Sequence, residues 1–252
     1  MRLTDEQVHD YFEQGYLLLR GLITEESLAR YDERFHDFVL GREPLAEDMK
    51  IMQDVMVVKG AVQPETPVHG VNKLLCFEND ETLFAFAREP ELVEAVQSLI
   101  GEEIYSLSSN VFNKPPGVDG RHPFHQDLRY FRLRPADGIV GVWTAMLPAT
   151  REQGCLSVIP GSHKEGMLDH ALPDWEYVNH GFFGLQGVSV EDRVHVEMEP
   201  GDTLLFPPLI VHGSGRNRSS EFRRAISIHY ASGTCESPKA NWQHVGFTRR
   251  IA

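Results

Sequence analysis

The chain has 252 residues, of which 41% are hydrophobic and 24% charged, and its formal net charge is −13. That length suits one domain, since barrels and sandwiches often run to roughly 200–250 residues, and the acidity argues against a nucleic-acid partner, which selects a basic face. No apolar run approaches the roughly 20 residues of a bilayer span, and Cys76, Cys155 and Cys235 are too few and too scattered for a disulfide framework or a zinc site.

The first hundred residues read as mainly helical. Thr4 is a candidate N-cap, with Asp5 and Glu6 in the first turn, where the helix dipole favours acids. Val8, Tyr11 and Phe12 follow at helical spacing, and Gly15 ends the helix. A short strand is expected at Tyr16–Leu19. Thr24 caps a second helix with Leu28, Tyr31, Phe35 and Phe38 at spacings of three and four. Segment 41–79 is less readable, with short strands expected around Asp54–Lys59 and Asn72–Phe77. Two more helices, Thr82–Ala87 and Glu91–Ile100, are parted by Pro90 and closed by Gly101.

From about residue 104 the pattern changes to short β-branched and aromatic runs between turn clusters such as Pro160-Gly161-Ser162 and Pro200-Gly201-Asp202. Strands are expected at Ile104–Phe112, Ile139–Leu147, Leu156–Ile159, Arg193–Met198, Thr203–Phe206, Ile210–Gly213 and Arg224–Ala231. This spacing predicts a sandwich or barrel. Residues 164–190 form a connection of a length that is often functional. One domain over 1–252 is expected: a helical support layer (1–103), a barrel core (104–232) and a C-terminal tail (233–252). Neither a signal-peptide pattern at Met1–Glu6 nor an S-K-L ending is present, which favours the cytoplasm.

His125-Gln126-Asp127 places two metal-ligand types at i and i+2, on one face of an extended segment. Imidazole plus carboxylate is two-thirds of the facial triad of non-haem iron(II) oxygenases, although an H-x-D tripeptide also arises by accident. His212, after Leu209-Ile210-Val211 and before Gly213-Ser214-Gly215, suits a cavity ligand at a strand end; taken alone it reads first as a hydrogen-bonded core histidine. In the last strand Arg223, Ala225, Ser227 and His229 share one face, and Arg224, Ile226, Ile228 and Tyr230 the other. The face with Arg223 reads as a pocket whose guanidinium awaits a carboxylate. The competing readings are a salt bridge within the protein and the opposite orientation with Arg224 inward. His122 and His229 are candidates to support the ligands.

These motifs resemble the phytanoyl-CoA dioxygenase family: Arg121-His122-Pro123-Phe124-His125-Gln126-Asp127, Trp143-Thr144-Ala145-Met146, Gly154-Cys155-Leu156, Ile159-Pro160-Gly161-Ser162-His163-Lys164, and His212-Gly213-Ser214-Gly215 through Phe222-Arg223. The likeness is good over roughly 105–232 and thinner toward the N-terminus. It implies a double-stranded β-helix, a jelly-roll barrel of cupin type, with Fe(II) on His125, Asp127 and His212. It further implies 2-oxoglutarate with its distal carboxylate on Arg223 and Ser214, and Trp143, Gln126 and Lys73 around it. Asn110 stands where closer members place a methionine, and the tail after Gly233 departs from the family pattern.

The activity so implied consumes O2 and 2-oxoglutarate, releases succinate and CO2, and hydroxylates a small or lipid-like substrate. An acyl-CoA oxidised at the 2-position leads; a secondary metabolite or free acid is the alternative. Arg129, Arg132, Arg134, Arg216 and Arg218 are candidates for CoA phosphates and equally ordinary surface charges. A non-catalytic cupin-like metal-binding or sensor protein is the competing class, disfavoured because all three ligands and Arg223 are present.

Overall fold

The computed structural model describes residues 1–178, 181–238, 242–244 and 248–252. Residues 179–180 of the 164–190 connection, and 239–241 and 245–247 of the tail, lie outside the described residues.

Local chemistry fixes the N-terminal helices. Helix α1 (Asp5–Gln14) starts in a capping box: Thr4 Oγ1 accepts from the Gln7 amide at 3.2 Å, and Gln7 Oε1 accepts from the Thr4 amide at 2.9 Å. It stops at Gly15, whose φ of 79° is left-handed. Strand β1 (Leu17–Leu19) follows. Helix α2 (Glu25–Val39) is capped by Thr24 and buries Leu28, Tyr31, Phe35 and Phe38 along one stripe.

Strand β2 (Lys50–Gln53) is followed by a single helical turn, α3 (Val55–Val58). The expected strand over Asp54–Lys59 is therefore a correction. Its valines favour a strand, but the Asp54 carboxylate accepts from the Met56 amide at 2.9 Å and caps a turn. Strand β3 (Val71–Leu75) pairs with β2, and the short helices α4 (Glu81–Phe84) and α5 (Pro90–Ile100) complete the layer. Pro90 takes the first turn of α5, where a missing N–H leaves no bond unmade.

The remaining strands are β4 (Ile104–Lys114), β5 (His122–His125), β6 (Ile139–Ala145), β7 (Leu156–Val158), β8 (His170–Ala171), β9 (Gly184–Leu185), β10 (Val194–Val196), β11 (Thr203–Phe206), β12 (His212–Ser214), β13 (Arg223–Ser232) and β14 (Arg249–Arg250). The major sheet runs β1-β11-β6-β13-β4-β3-β2, with β14 also on β4; the minor sheet runs β10-β7-β12-β5. Their pairings are antiparallel. This is the jelly-roll architecture.

Two of the three buried clusters among the described residues explain the layering. One lies between the helices and the outer face of the major sheet, where Tyr31, Phe35, Phe77, Phe84 and Leu92 meet Val142, Ile226, Ile228 and Tyr230. Each large side chain buried there contributes about 1.5–3 kcal/mol. The other fills one end of the space between the sheets with Trp143, Ala145, Leu156, Val158, Phe206 and Ala225. No helix among the described residues is long and apolar enough to cross a membrane.

Candidate active site

Strands β5 and β12 are neighbours in the minor sheet, and their register sets His125 directly opposite His212. Gly213 permits that approach, because a Cβ there would lie 3.0 Å from the Phe124 nitrogen and 3.1 Å from the His122 carbonyl oxygen. His125 Nδ1 donates to the Pro123 carbonyl at 2.8 Å, and His212 Nδ1 donates to the Ile210 carbonyl at 3.1 Å. With Nδ1 engaged, each ring turns the Nε2 lone pair inward.

Asp127 opens the short turn after β5, with Oδ1 3.2 Å from His125 Nε2 and Oδ2 3.7 Å from His212 Nε2. One ligand atom from each of the three residues lies within 4.8 Å of the other two, and all three residues are buried. His229 Nε2 donates to Asp127 Oδ2 at 2.8 Å, while His229 Nδ1 lies 3.0 Å from Ser108 Oγ. Gly141 leaves room for this imidazole: a Cβ there would sit 3.1 Å from His229 Nε2 and 2.7 Å from the Phe206 ring.

Burial pushes His212 down to about 4, against the pull of the Asp127 carboxylate. Burial opposes the Asp127 charge, but the imidazoles of His212 and His229 outweigh it and hold the carboxylate well below its usual range. A neutral imidazole and a charged carboxylate are the forms that bind a metal. Two imidazoles and one carboxylate on one cavity wall fit an iron(II) centre with open positions.

The triad faces a cavity of about 420 Å³. Strand β13 sends Arg223, Ser227 and His229 into it, while Ile226, Ile228 and Tyr230 pack against the helical layer. Arg224 goes with the latter group, paired with Asp32 and bonded through Nε and Nη2 to Asn113 Oδ1 at 3.2 Å. Arg223 lies over Trp143 at 5.2 Å and donates from Nη2 to the Gly154 carbonyl at 3.3 Å. It is 3% exposed, its Nε has no hydrogen-bond partner, and no carboxylate among the described residues pairs with it. Burial lowers this guanidinium to about 10. An orphaned donor on a buried cation, in the same cavity as the triad, fits the carboxylate of a 2-oxoacid cosubstrate.

Ser214 and Trp143 line the same cavity. Lys73 also lines it, with Nζ 5.0 Å from the Phe112 ring centre and 4.6 Å from that of Phe182; burial lowers it to about 8. Asn110 is a further lining residue. Gln126 is placed differently. Its amide donates to the Gly166 and Leu209 carbonyls at 2.8 and 2.7 Å and accepts from the Leu168 amide at 2.8 Å, so the side chain braces the ligand segment from outside the cavity.

Sequence reasoning passed over Lys114, whose Nζ donates to Ser214 Oγ at 2.8 Å. It lies beside Pro115-Pro116-Gly117, which reads as a turn, yet β4 continues to Lys114 through pairing with Arg223. Of the arginines considered for phosphate, Arg216 pairs with Asp119 at 3.2 Å, Arg134 donates to the Phe131 and Leu133 carbonyls, and Arg129 lies over Phe183. Arg132 and Arg218 are exposed.

A family profile described as phytanoyl-CoA dioxygenase (PhyH) matches residues 11–225. A probable phytanoyl-CoA dioxygenase of Caenorhabditis elegans is 41% identical over 238 residues, covering 91% of this chain and 76% of that one. The human peroxisomal phytanoyl-CoA dioxygenase is 39% identical over 238 residues, covering 92% and 70%. Among solved structures, the epimerase SnoN in complex with Fe3+, alpha ketoglutarate and nogalamycin RO superposes with a TM-score of 0.68 at 20% identity, covering 94% of this chain and 86% of that one; such a likeness speaks for the fold. The chain belongs to the phytanoyl-CoA dioxygenase family and is an iron- and 2-oxoglutarate-dependent dioxygenase.

Proposed function

We propose that this enzyme hydroxylates an acyl-CoA at the carbon next to the thioester, with iron held by His125, Asp127 and His212 and the distal carboxylate of 2-oxoglutarate held by Arg223 and Ser214. The observation that carries the site assignment is Arg223: a buried guanidinium with an orphaned Nε and, among the described residues, no carboxylate paired with it, facing the same cavity as the triad. The acyl-CoA reading draws on relatives named phytanoyl-CoA dioxygenase at 39–41% identity.

Bound iron supplies the O2 chemistry that couples decarboxylation of the cosubstrate to hydroxylation. The chain does the rest. Trp143 lies beneath Arg223 and covers one side of the guanidinium. Lys73 offers a second cation on the cavity lining. His229 donates to Asp127 Oδ2 and so orients the carboxylate that would bind the metal. Met52, Leu75, Phe131 and Phe182 line the rest of the cavity, an apolar surface for an acyl chain that keeps water from the reacting carbon. Three unpaired cysteines suit a reducing compartment, which supports a cytosolic location.

The test is turnover with iron(II), 2-oxoglutarate and O2 on matched branched acyl-CoAs and free acids, read by mass spectrometry. Gain of one oxygen by the CoA ester, with equimolar succinate, is the expected result. Gain by the free acid alone would overturn the acyl-CoA reading and favour the free-acid alternative.

A further inference from the structure

Behind the cavity wall, against Ser214, lies a further buried cation that the metal centre does not use. Lys114 is 4% exposed, at the end of β4, where its register partner is Arg223. Its Nζ donates to Ser214 Oγ at 2.8 Å, to the Gly215 carbonyl at 2.5 Å and to the Gly154 carbonyl at 3.4 Å. Arg223 donates to that same Gly154 carbonyl, so the two cations converge on one oxygen. No carboxylate among the described residues forms an ion pair with either. Two like charges gathered out of water await an anion.

The hydrogen bonding has a direction. An ammonium only donates, whereas a serine hydroxyl has one proton to give and two lone pairs. With an anion in the cavity keeping Lys114 an ammonium, Ser214 Oγ accepts from it and the hydroxyl proton is free for that anion. Burial first, and the Arg223 guanidinium second, push the Lys114 ammonium well below its ordinary range, and an anion beside the pair reverses that pressure.

We infer that Lys114 is a positioning residue for the cosubstrate: by donating to Ser214 Oγ it fixes that hydroxyl as a donor to the distal carboxylate that Arg223 also holds. This rests on the proposed cosubstrate site and adds to it a residue that selects a dicarboxylate over a 2-oxoacid with an uncharged tail. Binding only is involved; no bond is made or broken.

The experiment titrates 2-oxoglutarate, and separately 2-oxovalerate, which lacks the distal carboxylate, into iron(II)-loaded protein without O2. Lys114→Met is expected to weaken 2-oxoglutarate at least tenfold, to change 2-oxovalerate less than twofold, and to leave iron affinity unchanged. In a Ser214→Ala background the same substitution is expected to add less than threefold. Lys114→Gln, which keeps a donor for the two carbonyls, preserves the fold if Lys114→Met does not, and is expected to show the same selective loss. Equal loss for both ligands, or no loss, overturns the inference while the wild type still binds 2-oxoglutarate. A folded, iron-loaded wild type that binds neither ligand overturns the underlying site assignment as well.

Discussion

Arg223 and Arg224 are adjacent in β13, equally buried at 3% exposure, and face opposite ways. Replacing each by alanine therefore has opposite signatures. Arg224 is committed inside the protein, to the Asp32 carboxylate and to Asn113, and it lies 4.5 Å from the Phe35 ring centre. Breaking a buried pair by removing one partner costs about 3–5 kcal/mol. Asp32 is 29% exposed, so water recovers part of that, and Arg224→Ala is expected to lose about 2–3 kcal/mol of stability with cosubstrate affinity nearly unchanged. Arg223 has no counter-ion among the described residues, so removing it relieves an uncompensated buried charge. Arg223→Ala is expected to leave the ligand-free protein as stable as wild type or more so. Its cosubstrate then loses a charged partner worth about 2–5 kcal/mol, roughly thirty-fold to several-thousand-fold in Kd. Urea denaturation gives the first quantity, and anaerobic calorimetric titration of 2-oxoglutarate into iron-loaded protein gives the second. Loss of binding in Arg224→Ala with retention in Arg223→Ala would refute the assignment of the two faces.

Two other outcomes follow from buried contacts. Gly141→Ala puts a methyl group 3.1 Å from His229 Nε2 and 2.7 Å from the Phe206 ring; it is expected to lower stability by about 1–3 kcal/mol and to lower turnover by more than that loss explains, measured as kcat at a temperature where the variant is folded. Glu78 is buried, and burial raises it to about 7, above an ordinary value of roughly 4.3, against the opposing pull of nearby donors that include the Ser109 hydroxyl. The folded state thus keeps a proton that the unfolded state gives up, so this stabilisation is full below roughly pH 4.3 and is lost as pH rises through 7. Glu78→Gln is expected to match wild type in urea melts near pH 4 and to exceed it by roughly 1–3 kcal/mol at pH 8; no difference at pH 8 would contradict the account.

Sequence legibility followed the range of the forces involved. The caps at Thr4 and Thr24 and the stop at Gly15 act within a few residues, so α1 and α2 were readable. The two faces of β13 were readable because strand alternation is local. The same alternation turns Gln126 away from a cavity that its neighbours His125 and Asp127 face, although the resemblance placed it around the cosubstrate. The turn at Val55–Val58 was lost because one carboxylate, Asp54, outweighed three β-branched side chains. Lys114 was lost because its role depends on Ser214 and Gly215, about a hundred residues on. Juxtapositions of that kind are settled by strand register, which a single sequence leaves open.

The central claim is that His125, Asp127 and His212 hold iron and that Arg223 holds the 2-oxoglutarate bound to it. Anaerobic addition of iron(II) and 2-oxoglutarate to the purified protein tests it most directly. A weak visible charge-transfer band is expected only when both are present, lost in His125→Ala, Asp127→Ala and His212→Ala, each with wild-type circular dichroism. A folded, iron-loaded protein that shows no such band, or a triad variant that retains it in full, would contradict the claim.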